Sequence, residues 1–99
     1  MSNLVAWVRA RYHRQDMLTE YIQAAMRLAH YEIMEDGRIF GTVPPCPGAW
    51  ADGDTLEACR DELHEVLESW IIVGLRHGHS FEVIDGVDLN PQPVYAEAD

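Results

Sequence analysis

The spacing of apolar residues predicts one long amphipathic helix in the second half of the chain. Apolar side chains recur there every three or four positions, and acidic side chains occupy most positions between them. The apolar stripe consists of Leu56, Cys59, Leu63, Val66, Leu67, Trp70 and Ile71. Asp54 is the predicted N-cap, with Glu57 three residues later as in a capping box, and Gly78 is placed to end the helix.

A shorter period upstream of that helix predicts a β-hairpin. Residues 31–35 alternate in character, and residues 38–43 form the expected return strand. Between them lies Asp36-Gly37, a dipeptide that favours a tight turn because both residues tolerate positive φ. The tract at residues 44–48 contains three prolines, which lack amide donors, so it is expected to form a shaped loop.

The remaining elements complete an α+β chain. Residues 49–52 are a short third strand, and residues 81–84 are the expected final strand. A first helix is predicted from Asp16, because apolar residues follow at helical spacing: Leu18, Tyr21, Ile22, Ala25 and Ala29. The predicted architecture is therefore an N-terminal helix followed by β-β-β-α-β, with a helix on one face of the sheet.

The charge of the chain is strongly acidic and unevenly distributed. There are 17 acidic and 7 basic residues, and Arg9, Arg11 and Arg14 lie in the first 16 positions. Residues 17–99 hold 16 acidic and 4 basic residues, a net charge of −12. Such a body repels nucleic-acid phosphates and suits a basic protein partner. The alternative is that the acids serve only solubility.

Three segments follow from these patterns. Residues 1–15 are an N-terminal extension that we expect to be dispensable for folding, residues 16–84 are the domain, and residues 85–99 are an acidic C-terminal tail. The longest strongly apolar run, Trp70–Leu75, is too short to span a membrane. We therefore expect a cytoplasmic protein without membrane contact.

Candidate catalytic groups all have a competing structural explanation. Asp52 and Asp54 could hold divalent metals in a nuclease, but Asp54 is explained as a helix cap and the further acids required are not evident. His77 and His79 sit in a glycine-flanked turn, without a third ligand. Cys46 has no neighbouring base in sequence. We predict no catalytic residue, no cofactor and no metal.

An ordered set of motifs resembles the HicB antitoxin family, over a region from about His30 to Ile84. A strand leads to the turn at residues 35–37, and a second strand ends in Val-Pro. A Pro-Gly loop at residues 47–48 precedes Gly-Asp-Thr-Leu-Glu at residues 53–57, which opens the long helix. The chain departs from the family pattern at Cys46 and Ala49, where Leu and Cys are more usual.

The resemblance implies a partial RNase H-like fold without nuclease chemistry. It implies a module that binds and neutralises a small basic mRNA-cleaving toxin, HicA-like, and that assembles as a dimer or tetramer. Only 15 residues, none basic, follow Ile84, so we expect no DNA-binding domain and no direct nucleic-acid contact. The predicted partner-binding residues are Trp50, Asp52, Asp61, Glu65 and Glu68. The alternatives are a homo-oligomeric structural or regulatory protein without a toxin and a divalent-metal nuclease.

Overall fold

A computed structural model describes residues 17–90 of the chain. Its elements follow in the order α1 (residues 17–27), β1 (His30–Ile33), β2 (Ile39–Thr42), β3 (Trp50–Gly53) and α2 (Leu56–Arg76). This arrangement confirms the predicted α+β class and the predicted order of its first five elements. The N-terminal extension at residues 1–15 lies outside the described residues, as do residues 91–99 of the predicted tail.

The three strands form one antiparallel sheet in the order β1-β2-β3. The turn between β1 and β2 follows the prediction, because Gly37 adopts a φ of 87° and its amide donates to the Met34 carbonyl. The Asp36 carboxylate accepts a hydrogen bond from the Arg38 amide and fixes the same turn. The hairpin therefore forms from local signals that the sequence displays.

Helix α2 covers one face of this sheet. Its buried residues repeat at three- or four-residue intervals and are Cys59, Leu63, Leu67, Ile71 and Gly74. Gly53 lets the helix approach β3 closely, because a Cβ atom at that position would lie 2.6 Å from the Cys59 backbone nitrogen. The helix closes at His77, and Gly78 follows with a φ of 71°, as expected of a residue just beyond a helix end.

The N-cap of α2 differs from the predicted one by one residue. Thr55, rather than Asp54, has the extended backbone of a cap, and its hydroxyl accepts a hydrogen bond from the Ala58 amide at 3.0 Å. Thr55 is itself a good capping residue, and the side chain of Asp54 instead contacts Arg38. The predicted capping box was therefore wrong, because Glu57 lies two residues after the cap and not three.

Helix α1 and the loop between β2 and β3 complete the core. Tyr21, Ile22, Ala24 and Ala25 of α1 are buried, together with residues of the proline-rich loop and of β3: Val43, Cys46, Ala49 and Ala51. The shaped loop predicted from the prolines thus supplies core side chains. The prolines, which lack amide donors, explain why the loop continues neither strand.

The segment after α2 differs from the predicted final strand. Residues 81–84 lie outside the sheet, and their one ladder contact is an isolated bridge between Ile84 and Val87. The Asn90 side chain pairs instead with both backbone groups of Phe81, and the Tyr21 hydroxyl donates to the Glu82 carbonyl at 2.6 Å. Because side chains satisfy these backbone groups, the segment is held without a strand partner.

Residues 85–90 pack onto the domain rather than hanging from it as a loose tail. Val87 and Leu89 contact the core, and Arg27 of α1 forms an ion pair with Asp85 at 3.0 Å. Within residues 17–90 no helix is long and apolar enough to cross a membrane.

Candidate protein-binding surfaces

The face of the sheet opposite α2 is uncovered by any described element. Strand alternation turns Ala51 and Gly53 toward the helix and leaves Trp50 and Asp52 exposed on the other side. Trp50 keeps 54% of its surface accessible and packs against Phe40, with ring centroids 5.6 Å apart. This open face therefore presents a partly exposed aromatic pair.

Asp52 is engaged within the chain. The Arg38 guanidinium contacts the Asp52 carboxylate at 3.4 Å and the Asp54 carboxylate at 2.5 Å. These contacts raise the pKa of Arg38, with the Asp52 hydrogen bond and charge as the main causes. The charge of both carboxylates is therefore partly compensated before any partner approaches.

The second surface is the solvent-facing side of α2. Asp61, Glu65 and Glu68 are exposed and lie at helical spacings of four and three, so they form one stripe, which begins with Glu57 one turn earlier. The ion pairs of residues 17–90 involve only Arg27 and Arg38, so these four carboxylates have no cationic partner among the described residues. We call Glu57, Asp61, Glu65 and Glu68 the acidic stripe.

The five predicted contact residues therefore fall on two surfaces. Trp50 and Asp52 lie on the open sheet face, whereas Asp61, Glu65 and Glu68 lie on the far side of the helix that covers the opposite face. Because the helix packs on the sheet as a second layer, these surfaces are separated by the thickness of the sheet and the helix. The structure brings together the three helix acids and places Trp50 and Asp52 elsewhere.

Sequence reasoning missed the apolar end of α2. Ile72, Val73 and Leu75 are each 40% or more exposed, and they continue the outer side of the helix beyond the acidic stripe. The signal was present, because apolar residues at 70–73 and 75 surround the helix instead of keeping to one stripe. Beside them, Trp70 is half-buried and meets Phe81 edge-on, with ring centroids 5.7 Å apart.

The two cysteines behave as packing residues. Cys46 is fully buried in the proline-rich loop, and burial raises the pKa of its thiol to about 11. Burial likewise raises the pKa of Cys59, whose thiol contacts the Ala51 carbonyl. Both thiols are protonated at neutral pH, so neither has the thiolate character of a nucleophile. The adjacent Tyr21 hydroxyl also has a raised pKa, chiefly because of burial.

Three histidines of the described region, His64, His77 and His79, are exposed. His64 lies on the outer side of α2, and His77 and His79 stack at 5.8 Å after the end of the helix. In the part of the chain that the structure describes, no three His, Cys, Asp or Glu side chains are grouped so as to hold a metal ion.

Fold and surface together define a small α+β domain whose exposed features are candidate contact surfaces. The chain matches the UPF0150-like family over residues 20–81, which is more than half of its length. This protein therefore belongs to the UPF0150-like family. The matched region contains the sheet, α2 and most of α1.

A solved structure shares this fold. The chain is similar to TTHA0281 from Thermus thermophilus, with 32% sequence identity and a TM-score of 0.71. The similarity covers 78% of this chain and 96% of that one. No curated protein sequence is significantly similar to this chain.

Proposed function

We propose that this protein is a HicB-like antitoxin-type module, which neutralises a small basic mRNA-cleaving toxin by direct binding. Two independent observations support the proposal. The UPF0150-like family match covers the region whose motifs resemble HicB proteins. The acidic body has a net charge of −12 over residues 17–99, which favours encounter with a basic protein.

The observation that carries the proposal is the unpaired acidic stripe on α2. Asp61, Glu65 and Glu68 are exposed, lie in one row and have no cationic partner within residues 17–90. Asp52 on the open sheet face is already bound to Arg38. Charge complementarity therefore favours the α2 surface over the sheet surface as the contact for a basic toxin.

A nuclease activity is disfavoured by the same Arg38 contacts. Divalent-metal catalysis would require free carboxylate oxygens at Asp52 and Asp54, and the guanidinium occupies oxygens of both. We therefore propose a non-enzymatic role. RNA cleavage that depends on Asp52 and Asp54 in the presence of magnesium or manganese would overturn this part of the proposal.

Co-expression tests the toxin partner directly. The full chain would be produced with the protein encoded by the adjacent gene, and the mixture analysed by size-exclusion chromatography and an mRNA-cleavage assay. The proposal expects a small basic ribonuclease that co-elutes with this chain and loses its activity in the complex. A neighbour that is not a ribonuclease, or a ribonuclease that neither co-elutes nor loses activity, would contradict it.

A further inference from the structure

The solvent-facing side of α2 carries one row of exposed residues that runs from its acidic half into its apolar half. The row consists of Asp61, Glu65, Glu68, Ile72 and Leu75. Their intervals alternate between four and three residues, so they lie within about 80° of one another around the helix axis. We call this row the outer seam. It lies on the side of α2 away from the buried face, and no element of residues 17–90 covers it.

The spacing of the outer seam is that of the contact positions between two packed helices. Intervals of four and three residues keep a row facing a partner helix, as the a and d positions of a coiled coil do. From Asp61 to Leu75 the row is about 21 Å long at a rise of about 1.5 Å per residue. A helix packed along it would cross α2 at about 20° and contact it over about four turns.

The side chains of the outer seam specify what a partner helix must present. The three carboxylates have no cationic partner within residues 17–90, so they favour Lys or Arg opposite them. Ile72 and Leu75 are 42% and 40% exposed, so they favour apolar side chains that remove them from water. Cations stabilise a helix near its C-terminus. The antiparallel orientation is therefore favoured, because it places the basic residues in the C-terminal half of the partner helix.

We propose that the outer seam binds one amphipathic helix of the basic partner protein, antiparallel to α2. Along that helix, two apolar residues precede three basic residues, at alternating intervals of three and four. This inference rests on the proposed function for the identity of the partner, since the toxin supplies the helix. It goes beyond that function because it states the element, the orientation and the residue order of the contact.

A second copy of α2 does not meet these requirements. Antiparallel pairing of two outer seams places Glu68 opposite Glu68, and it places Asp61 opposite Leu75. Parallel pairing places each acidic residue opposite itself. Both arrangements leave carboxylates beside like charges or apolar side chains without a cation, which costs free energy. The occupant of the outer seam is therefore not another α2.

A synthetic peptide tests the outer seam without any toxin. The probe is a helical peptide of about 20 residues that carries Leu, Leu, Lys, Lys and Lys at alternating intervals of three and four, with Ala and Gln elsewhere. A control peptide of identical composition carries both Leu residues two positions later, on the other side of its helix. In fluorescence anisotropy with the full chain, the probe should bind at least about tenfold more tightly than the control. Equal affinities, or no binding of either peptide, would overturn the proposal.

Paired variants of the protein test the apolar part of the outer seam. Ile72→Gln with Leu75→Gln removes both apolar contacts, and Gln is a good helix former, so circular dichroism should show an unchanged fold. The matched control is Val73→Gln with Val83→Gln, since both side chains are about half exposed and lie outside the seam. We expect the seam variant to bind the probe at least about tenfold more weakly, and the control variant to stay within about twofold. A similar loss in both variants would contradict the proposal.

The ribonuclease of the co-expression experiment separates this inference from the proposed function. The probe should displace the ribonuclease from the wild-type chain, and the seam variant should bind it more weakly than the control variant does. A ribonuclease that both variants inhibit equally would overturn the inference and leave the proposed function standing. Probe binding without any ribonuclease partner would overturn the proposed function and leave the outer seam as a helix-binding surface. Self-association of the wild-type chain that the seam variant abolishes would assign the seam to a second copy and overturn the inference.

Discussion

The two ends of α2 are packed in different ways. At its start, the helix lies against the backbone of β3, where Gly53 allows the close approach to Cys59. At its end, it lies against side chains of the irregular segment that follows, where Gly74 makes room for the Phe81 ring. Backbone atoms can give way to an added side chain only if the helix or the strand shifts, whereas a side-chain ring can move by itself.

The solvent-facing surfaces of the two ends of α2 also differ. The first four turns carry the acidic stripe, and the last two turns expose Ile72, Val73 and Leu75. One helix thus presents a charged surface where it is fixed to the sheet and an apolar surface where it is held by side chains. The acidic end suits rapid electrostatic encounter, since charge steers association, and its rigid support keeps the charges in place.

The largest stability effect is expected at the fixed end. In Gly53→Ala, the added Cβ atom would lie 2.6 Å from the Cys59 nitrogen, so the helix or the strand must shift. We expect the free energy of unfolding to fall by about 3 kcal/mol, as for overpacked cores, measured by urea denaturation. A loss below about 1 kcal/mol would show that this end is not fixed.

A loss of stability at alkaline pH is expected from the buried thiol of Cys46. Burial raises the pKa of Cys46 from 9.0 to about 11, so the folded state retains a proton that the unfolded state releases. The contribution of this thiol to the free energy of unfolding is therefore fully present below pH 9. It is lost as the pH rises from 9 toward 11, by at most about 1.4 kcal/mol per pH unit. Cys46→Ala should show a shallower decline of unfolding free energy with pH, and an identical slope would contradict the burial argument.

A smaller cost is expected where the Phe81 ring packs. In Gly74→Ala, the added Cβ atom would lie 2.7 Å from the tip of that ring. The ring can shift, and alanine favours the helix by about 1 kcal/mol over glycine, which offsets part of the clash. We expect a net loss of about 1 kcal/mol by urea denaturation. A loss as large as that of Gly53→Ala would remove the distinction between the two ends.

An effect of similar size to that of Gly74→Ala is expected at the helix cap. Thr55→Ala should lower the free energy of unfolding by about 1 kcal/mol, because the Ala58 amide loses its acceptor. Asp54→Ala is the matched control, since its exposed side chain makes only an ion pair with Arg38. Thermal denaturation of both variants decides between the two caps, and a larger loss from Asp54→Ala would identify Asp54 as the cap instead.

Much of this fold could be predicted because its signals are local. The Asp36-Gly37 turn, the prolines of the loop and the stripe of α2 each depend on neighbouring residues in sequence. The segment 81–84 differed, because its partners are Asn90 and Tyr21, and Tyr21 lies 61 residues from Glu82 in sequence. A β-type pattern predicts an extended segment. It does not indicate whether a neighbouring strand or a side chain forms hydrogen bonds with the backbone of that segment.

The exposed acids could be predicted from the sequence, but their pairing could not. Asp61, Glu65 and Glu68 recur at helical spacing, and the structure has them in one row. That Asp52 is bound to Arg38 required knowledge of strand register, since 14 residues separate them in sequence. The tertiary structure therefore determines which acidic side chains lack an ion pair within the described residues.

The most direct test of the acidic stripe compares two variants of equal charge. Asp61→Lys, Glu65→Lys and Glu68→Lys together reverse the stripe, whereas Glu20→Lys, Glu35→Lys and Glu82→Lys change the net charge equally at exposed positions elsewhere. Titration calorimetry would measure the affinity of each for the basic ribonuclease from the co-expression experiment. The account predicts a loss of at least about a hundredfold for the stripe variant and less than about tenfold for the control. Equal losses, or none for the stripe variant, would contradict it.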